Sequence, residues 1–189
     1  GICIPGGFGN RGTEGMIAEA QYAREKKIPY LGICLGSQIM AIEYARNVLG
    51  ISDANSEEFA PEGQNNIIHI MEHQKGLTTK GGNMRLGAYP CVIRDGTLAE
   101  QTYHDYGDPV NNTISERHRH RFEFNPAYRE QMEQAGFIVS ATSPDGTLAE
   151  IVELKDHPYM IATQAHPELA SRPTHPHPLF MGFVKAMVK

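Results

Sequence analysis

The chain has 189 residues, with 17 lysines and arginines against 22 aspartates and glutamates. That length suits one domain with a sizeable core, and the mild acidic excess argues against a general nucleic-acid or membrane-surface binder, which normally carries a basic stretch. Cys3, Cys34 and Cys91 are odd in number and far apart; they suggest neither a disulfide framework nor a paired-cysteine zinc site and fit a reducing, cytoplasmic compartment.

No apolar run approaches the ~18 residues that a membrane span needs, and no signal peptide is read. The chain opens on Gly1-Ile2-Cys3-Ile4, an apolar run closed by Pro5-Gly6-Gly7, which reads as a buried strand entered partway through a domain. Residues 13–27 follow as a helix: Thr13 is a plausible N-cap, Ile17, Ala20 and Ala23 recur at helical spacing, and Arg24, Lys26 and Lys27 sit at the end that favours cations. Residues 28–33 form a short apolar strand. Residues 37–49 form a helix with Ile39, Ile42, Ala45 and Leu49 on one stripe and Gly50 as its stop. Strand, helix, strand, helix with short links implies a parallel sheet covered on both faces.

Residues 51–82 are less regular, and Lys80-Gly81-Gly82-Asn83 reads as a mobile turn. Strands return at 88–93 and 115–124. Asn125-Pro126 is a cap followed by a first-turn proline, opening a helix that Gly136 closes. Strands at 137–141, 148–154 and 159–164 are separated by turns, the first at Ser143-Pro144-Asp145-Gly146. With no internal repeat or low-complexity linker, residues 1–189 read as one α/β domain.

Two stretches carry chemistry. In Tyr30-Leu31-Gly32-Ile33-Cys34-Leu35-Gly36-Ser37-Gln38 a cysteine has glycine at both second neighbours, between an apolar strand and an amphipathic helix. This pattern meets the steric demands of a nucleophile elbow, where the turn is too tight for flanking side chains. A cysteine at a helix N-terminus has its thiolate favoured by backbone N–H groups and the dipole, which predicts a lowered pKa for Cys34. A buried cysteine in a strand-to-helix turn is the plainer alternative, and the two glycines count against it.

In Gln164-Ala165-His166-Pro167-Glu168-Leu169 a histidine and a glutamate stand two residues apart across a proline. A thiolate nucleophile needs a base, and the base needs a third group to fix its tautomer. Pro167 pushes His166 into extended geometry, and in an extended segment residues i and i+2 share a face, bringing Glu168 toward the imidazole. A solvated loop carrying a chance pair is the alternative.

Pro5-Gly6-Gly7-Phe8-Gly9, Gly32-Ile33-Cys34-Leu35-Gly36-Ser37-Gln38 and His166-Pro167-Glu168, in that order, resemble the class I glutamine amidotransferases, whose Cys-His-Glu triad releases ammonia from glutamine. Further stretches, Gly81-Gly82-Asn83-Met84-Arg85-Leu86-Gly87 and Glu116-Arg117-His118-Arg119-His120-Arg121 among them, narrow the likeness to members that feed ammonia to a synthetase domain aminating UTP to CTP. The resemblance implies a flavodoxin-like fold: a mostly parallel sheet flanked by helices, with an antiparallel extension and further strand-helix units ahead of Gly1. It implies Cys34 as nucleophile forming a γ-glutamyl thioester, His166 as proton shuttle and Glu168 as its orienter. Backbone N–H groups of Gly7 and Leu35 would make the oxyanion hole. Gly7, Leu35, Gly36, Ser37, Gln38, Glu58 and Arg121 would hold glutamine, with Arg121 as clamp and Glu58 as acceptor for the ammonium. Gly82, Met84, Arg85 and Leu86 would belong to a lid linked to activation by GTP.

The resemblance also implies no cofactor or metal in this domain. ATP and Mg²⁺ would act only in the synthetase domain, and the full-length enzyme would be a homotetramer. The family pattern has phenylalanine where this chain has Ala165, so a void or a looser His166 is expected. An amidotransferase with another acceptor, a γ-glutamyl hydrolase, and a non-catalytic regulatory or filament-forming module are the alternatives on the same fold.

Arg117 to Arg121 alternates arginine with histidine, giving an arginine face and a histidine face. Five residues without aromatic interleaving in an acidic chain argue against RNA, and a mostly solvated strand with one substrate-binding arginine is preferred. His175-Pro176-His177-Pro178 invites a metal reading, but a turn before the last helix fits its prolines better.

Overall fold

A computed structural model describes residues 1–71 and 84–188. The strands are β1 (Ile2–Ile4), β2 (Tyr30–Ile33), β3 (Asn55–Ser56), β4 (Asn66–Ile70), β5 (Arg85–Ile93), β6 (Thr113–His120), β7 (Phe122–Phe124), β8 (Phe137–Thr142), β9 (Ala149–Leu154) and β10 (Met160–Thr163). The helices are α1 (Thr13–Lys26), α2 (Leu35–Asn47), α3 (Leu98–Tyr106), α4 (Arg129–Gln134) and α5 (Pro178–Met187). Seven strands form one sheet in the order β1-β2-β10-β9-β8-β5-β6, and β3-β4-β7 form a small second one.

The α/β class with flanking helices is as expected, but the balance of the sheet differs. Only β1, β2 and β10 run parallel to one another, whereas β9, β8, β5 and β6 are joined antiparallel. Short turns such as Ser143 to Gly146 can only reverse a chain, because a parallel return needs a crossover of a dozen residues or more.

Both faces of the sheet are covered, and side-chain alternation in the strands explains how. Tyr30, Met160, Ala162 and Val152 join a core with Ile17, Ala20 and Ala23 of α1 and with α2. Leu31, Ile33, Ile161 and Ile151 point the other way, onto Ala99 and Tyr103 of α3 and Leu179 and Phe183 of α5. Helix α2 is buried from Leu35 to Ala45 because the small sheet covers its outer side with Ile67, Ile68 and Phe124. Glu43, fully buried in that helix, is held in a fork by Arg24 of α1 at 2.7–3.1 Å.

Several boundaries move. Thr13 is the first helical residue and its side chain caps nothing; the cap position is Gly12, with φ +76°. The second helix begins at Leu35, two residues before the predicted start. The strand expected over 115–124 is two strands that break at Arg121 and enter different sheets. Helix α3 was not predicted, although its signal is present. Thr97 accepts the Glu100 N–H (3.2 Å) while the Glu100 carboxylate accepts the Gly96 N–H (2.7 Å), a reciprocal cap. Asn125 does cap its helix, accepting the Ala127 N–H, and Gly136 follows α4 with φ +105°. The turn at Lys80 to Asn83, with Gly82 of the expected lid, lies outside the described residues. No helix among the described residues is long and apolar enough to cross a membrane.

Candidate active site

The geometry starts at Cys34. It occupies the cap position of α2 with φ 49° and ψ −97°, a backbone conformation outside the ordinary wells. Its N–H donates to Thr163 O of β10 at 2.7 Å, and its carbonyl accepts the N–H groups of Ser37 and Gln38. Two glycines make that seat possible. A Cβ on Gly32 would lie 2.7 Å from the backbone of Gly36 and 2.8 Å from the Ala162 Cβ, and a Cβ on Gly36 would strike the backbone carbonyl of Ile4. The first turn of α2 therefore stacks directly on β1 and β2, and Tyr30 Oη donates to Gly36 O at 2.8 Å to fix it.

His166 and Glu168 arrive from the end of β10. His166 Nδ1 and Glu168 Oε1 are 2.6 Å apart, while His166 Nε2 is buried without a hydrogen-bond partner among the described residues. The carboxylate thus holds the proton on Nδ1 and leaves the Nε2 lone pair available. The local backbone differs from the prediction: residues 167–169 form a single 3₁₀ turn, so Glu168 meets the imidazole across a turn instead of along a strand. His166 is further tied by its N–H to Arg117 O at 2.7 Å. Ala165 is buried, and its N–H donates to Thr163 Oγ1.

Gly6 stands between base and nucleophile. A Cβ there would lie 2.7 Å from His166 Cε1 and 3.6 Å from the Cβ of Cys34. The bare backbone lets imidazole and thiol occupy one small space. In front of them lies a cavity of about 470 Å³ lined by Gly7, Phe8, Cys34, Gln38, Glu58, Pro61, Met84, Arg119 and Arg121, with Glu57, His120 and Phe122. Glu58 Oε1 accepts the Gly9 N–H at 2.8 Å, tethering the glycine-rich loop to the far wall. A larger hollow of about 630 Å³ beside Arg94 and His157 is lined by none of the predicted site residues, and the nucleophile is in the smaller one.

The predicted residues thus divide. Gly7, Cys34, Gln38, Glu58, Arg121 and Met84 share the cavity. Leu35, Gly36 and Ser37 are buried in the first turn of α2 and are not among its lining residues. Leu35 still offers its N–H to the Cys34 sulfur, as first-turn amides have no intrahelical acceptor. Leu86 is exposed. Arg85 is no lid residue: it is buried in β5, ion-paired to Glu150 at 2.6 Å, with its guanidinium 4.6 Å from the Tyr89 ring centre. Sequence reasoning assigned no role to Phe8, Glu57, Pro61 or Phe122, which carry no pattern of their own.

The lowered pKa expected for Cys34 is not found. Burial pushes the thiol up to about 12; the Leu35 N–H and the Gln164 amide pull it down, and Glu168 and Glu58 push it further up. At rest the sulfur holds its proton, and a thiolate forms only as the neighbouring base takes it.

The histidine face of β6 points inward. His118 and His120 are buried and pushed down to about 2 and about 3, first by burial and then by Arg85, so both are neutral near pH 7. Glu123 of β7 is pushed up to about 7 because burial outweighs the attraction of Arg85. This gives a signed expectation. The folded protein holds a proton on Glu123 that the unfolded chain, near 4.5, releases; the resulting stability is complete below pH 4.5 and lost as pH rises to about 7. Glu123→Gln, lacking that titration, should gain on the parent by roughly 3 kcal/mol between pH 4.5 and pH 7.5. Urea unfolding at the two pH values measures it, and a constant difference between the proteins would refute it.

The site defines a class. The glutamine amidotransferase class-I family matches residues 1–186, and the chain belongs to that family.

Within it the similarity is to CTP synthases. The chain is 56% identical to CTP synthase of Halalkalibacterium halodurans over all 189 residues, and 54% identical to that of Bacillus subtilis. It spans 34% of the length of each. A solved structure of the Trypanosoma brucei CTPS glutaminase domain with bound acivicin superposes with a TM-score of 0.90 at 41% identity, covering 99% of this chain and 70% of that one.

Proposed function

We propose that this chain is the glutamine-hydrolysing part of a CTP synthase, working through Cys34, His166 and Glu168. The observation that carries the reading is the meeting of the three at Gly6, beside a cavity that also holds Gln38, Glu58 and Arg121. His166 Nε2 takes the thiol proton as the sulfur attacks the side-chain amide carbon of glutamine. The oxyanion forms against the N–H groups of Gly7 and Leu35; one such donor commonly lowers the barrier by ~2.7 to 4 kcal/mol. The imidazolium then protonates the departing nitrogen, ammonia leaves, and a γ-glutamyl thioester remains. Water, deprotonated by His166, attacks the thioester carbon; the C–S bond breaks, glutamate leaves and the thiol regains its proton. Arg121 clamps the substrate α-carboxylate and Glu58 accepts from its ammonium.

This half-reaction needs no cofactor or metal. The ammonia passes to a synthetase domain that aminates UTP with ATP and Mg²⁺, in a homotetramer whose glutaminase part responds to GTP near Met84 and Leu86. An electrophilic glutamine analogue tests the site directly. It should alkylate Cys34 stoichiometrically, with glutamine protecting, as read by the mass of the Cys34 peptide. Failure to label Cys34 would favour a non-catalytic module on the same fold.

A further inference from the structure

Gln164 ends β10 one residue beyond Thr163 and is almost wholly buried, at 3% exposure. Its side-chain nitrogen lies 3.5 Å from Cys34 Sγ. Which end of an amide faces a neighbour follows from the hydrogen bonds around it, and here one backbone carbonyl decides. Phe122 O can only accept. It takes a proton from the Gln38 amide at 3.2 Å and another from His120 Nδ1 at 3.0 Å. The Gln38 nitrogen is thereby turned inward, where it also meets Gln164 Oε1 at 3.3 Å. With its oxygen so engaged, Gln164 must present N–H, not C=O, to the sulfur. Backbone bonds fix the rest: the Gln164 N–H donates to Glu150 O at 2.9 Å and the Cys34 N–H to Thr163 O at 2.7 Å. The amide is held from both ends, and it lies behind the nucleophile, outside the lining of the substrate cavity.

We propose that Gln164 is a positioning residue for the nucleophile, aiming an N–H at the Cys34 sulfur and stabilising the thiolate as it forms. This rests on Cys34 being the nucleophile. The charged neighbours of that sulfur make the donor matter. Glu168 and Glu58 both oppose a negative sulfur, His166 must be free to accept its proton, and the Leu35 N–H is also needed for the oxyanion. Gln164 supplies a side-chain donor with no other duty in the reaction, and a hydrogen bond to a charged acceptor is among the stronger ones.

Two variants of nearly equal volume test it. Gln164→Met removes the donor, and Gln164→Glu keeps an acceptor for Gln38 but turns an oxygen toward the sulfur. Iodoacetamide alkylation of the Cys34 peptide is followed by mass spectrometry from pH 6 to pH 10, normalised to folded protein by circular dichroism. Alkylation tracks the thiolate fraction, so Gln164→Met should react about tenfold more slowly at pH 8, with its profile displaced to higher pH by about one unit. Gln164→Glu should be slower still. With glutamine as substrate, kcat should fall in the same order while KM changes less than about twofold. Profiles that overlay the parent's would overturn the proposal, as would a Gln164→Glu protein more reactive than Gln164→Met, the order expected of a residue that merely fills space. Loss of fold in both variants would likewise make Gln164 a packing residue. Because alkylation needs no turnover, it remains decisive whether or not glutamine is hydrolysed. A protein that binds no glutamine analogue but shows the displaced profile would refute the function alone.

Discussion

Cys34→Ala is expected to leave the fold intact and to abolish glutamine hydrolysis, lowering kcat by on the order of 10⁵ to 10⁶-fold. The substitution removes only the sulfur. Alanine tolerates the same backbone as the native residue, the Cys34 N–H to Thr163 O bond survives, and the glycines on either side still let α2 stack on β1 and β2. What vanishes is the atom that takes the acyl group. Water in its place would meet a base in position and two N–H donors, and such partial constellations retain only a small residual acceleration. Ammonia release from glutamine, measured beside an unchanged urea midpoint, decides the matter. Equal rates for the variant and its parent would end the mechanism.

The second large effect concerns a residue that touches no substrate. Gly36→Ala should cost at least ~3 kcal/mol and remove activity with it. The new methyl would collide with the Ile4 carbonyl and sit 3.1 Å from its carbon. Those atoms are strand backbone and cannot swing aside as a flexible side chain could. Relief would have to come from lifting the first turn of α2, which carries Cys34. Gly15→Ala is the matched control: in α1 a Cβ meets nothing within 4 Å, and the change should stabilise by roughly 0.5–1 kcal/mol. Urea midpoints shifting equally in the two variants would show that contact with β1 is unimportant.

The elbow was legible in the sequence because its constraint is local. Two glycines around a cysteine between a strand and a helix state a steric requirement that needs no distant partner. The pairing of His166 with Glu168 was legible for the same reason, although the path between them proved to be a 3₁₀ turn. Properties set by the surroundings were not legible. The N-terminal position of Cys34 argued for a lowered pKa, but the sheet and the glutamine pair around it exclude water, and desolvation outweighs the dipole. The alternation in Glu116 to Arg121 continued past the break at Arg121, so nothing local marked where the chain changes sheets. Strands of two to five residues such as β3 and β4 carry too little period to be told from loops. Helix α3 was overlooked for want of applying the Thr97 and Glu100 cap, not for want of a signal. Arg85 was misassigned by its neighbourhood: a glycine-rich stretch suggested a lid, whereas β6 takes Arg85 into register opposite His120.

That buried arginine has a consequence for how such a protein can change over generations. Arg85 and Glu150 are both almost wholly buried and joined at 2.6 Å. Replacing both by well-packed apolar side chains is tolerable in many interiors, yet losing either alone strands a charge without water. The viable genotypes on either side of the pair are therefore separated by single substitutions that fail. The two positions, 65 apart in sequence, are inherited as one character, frozen together by epistasis and not by any part in the chemistry.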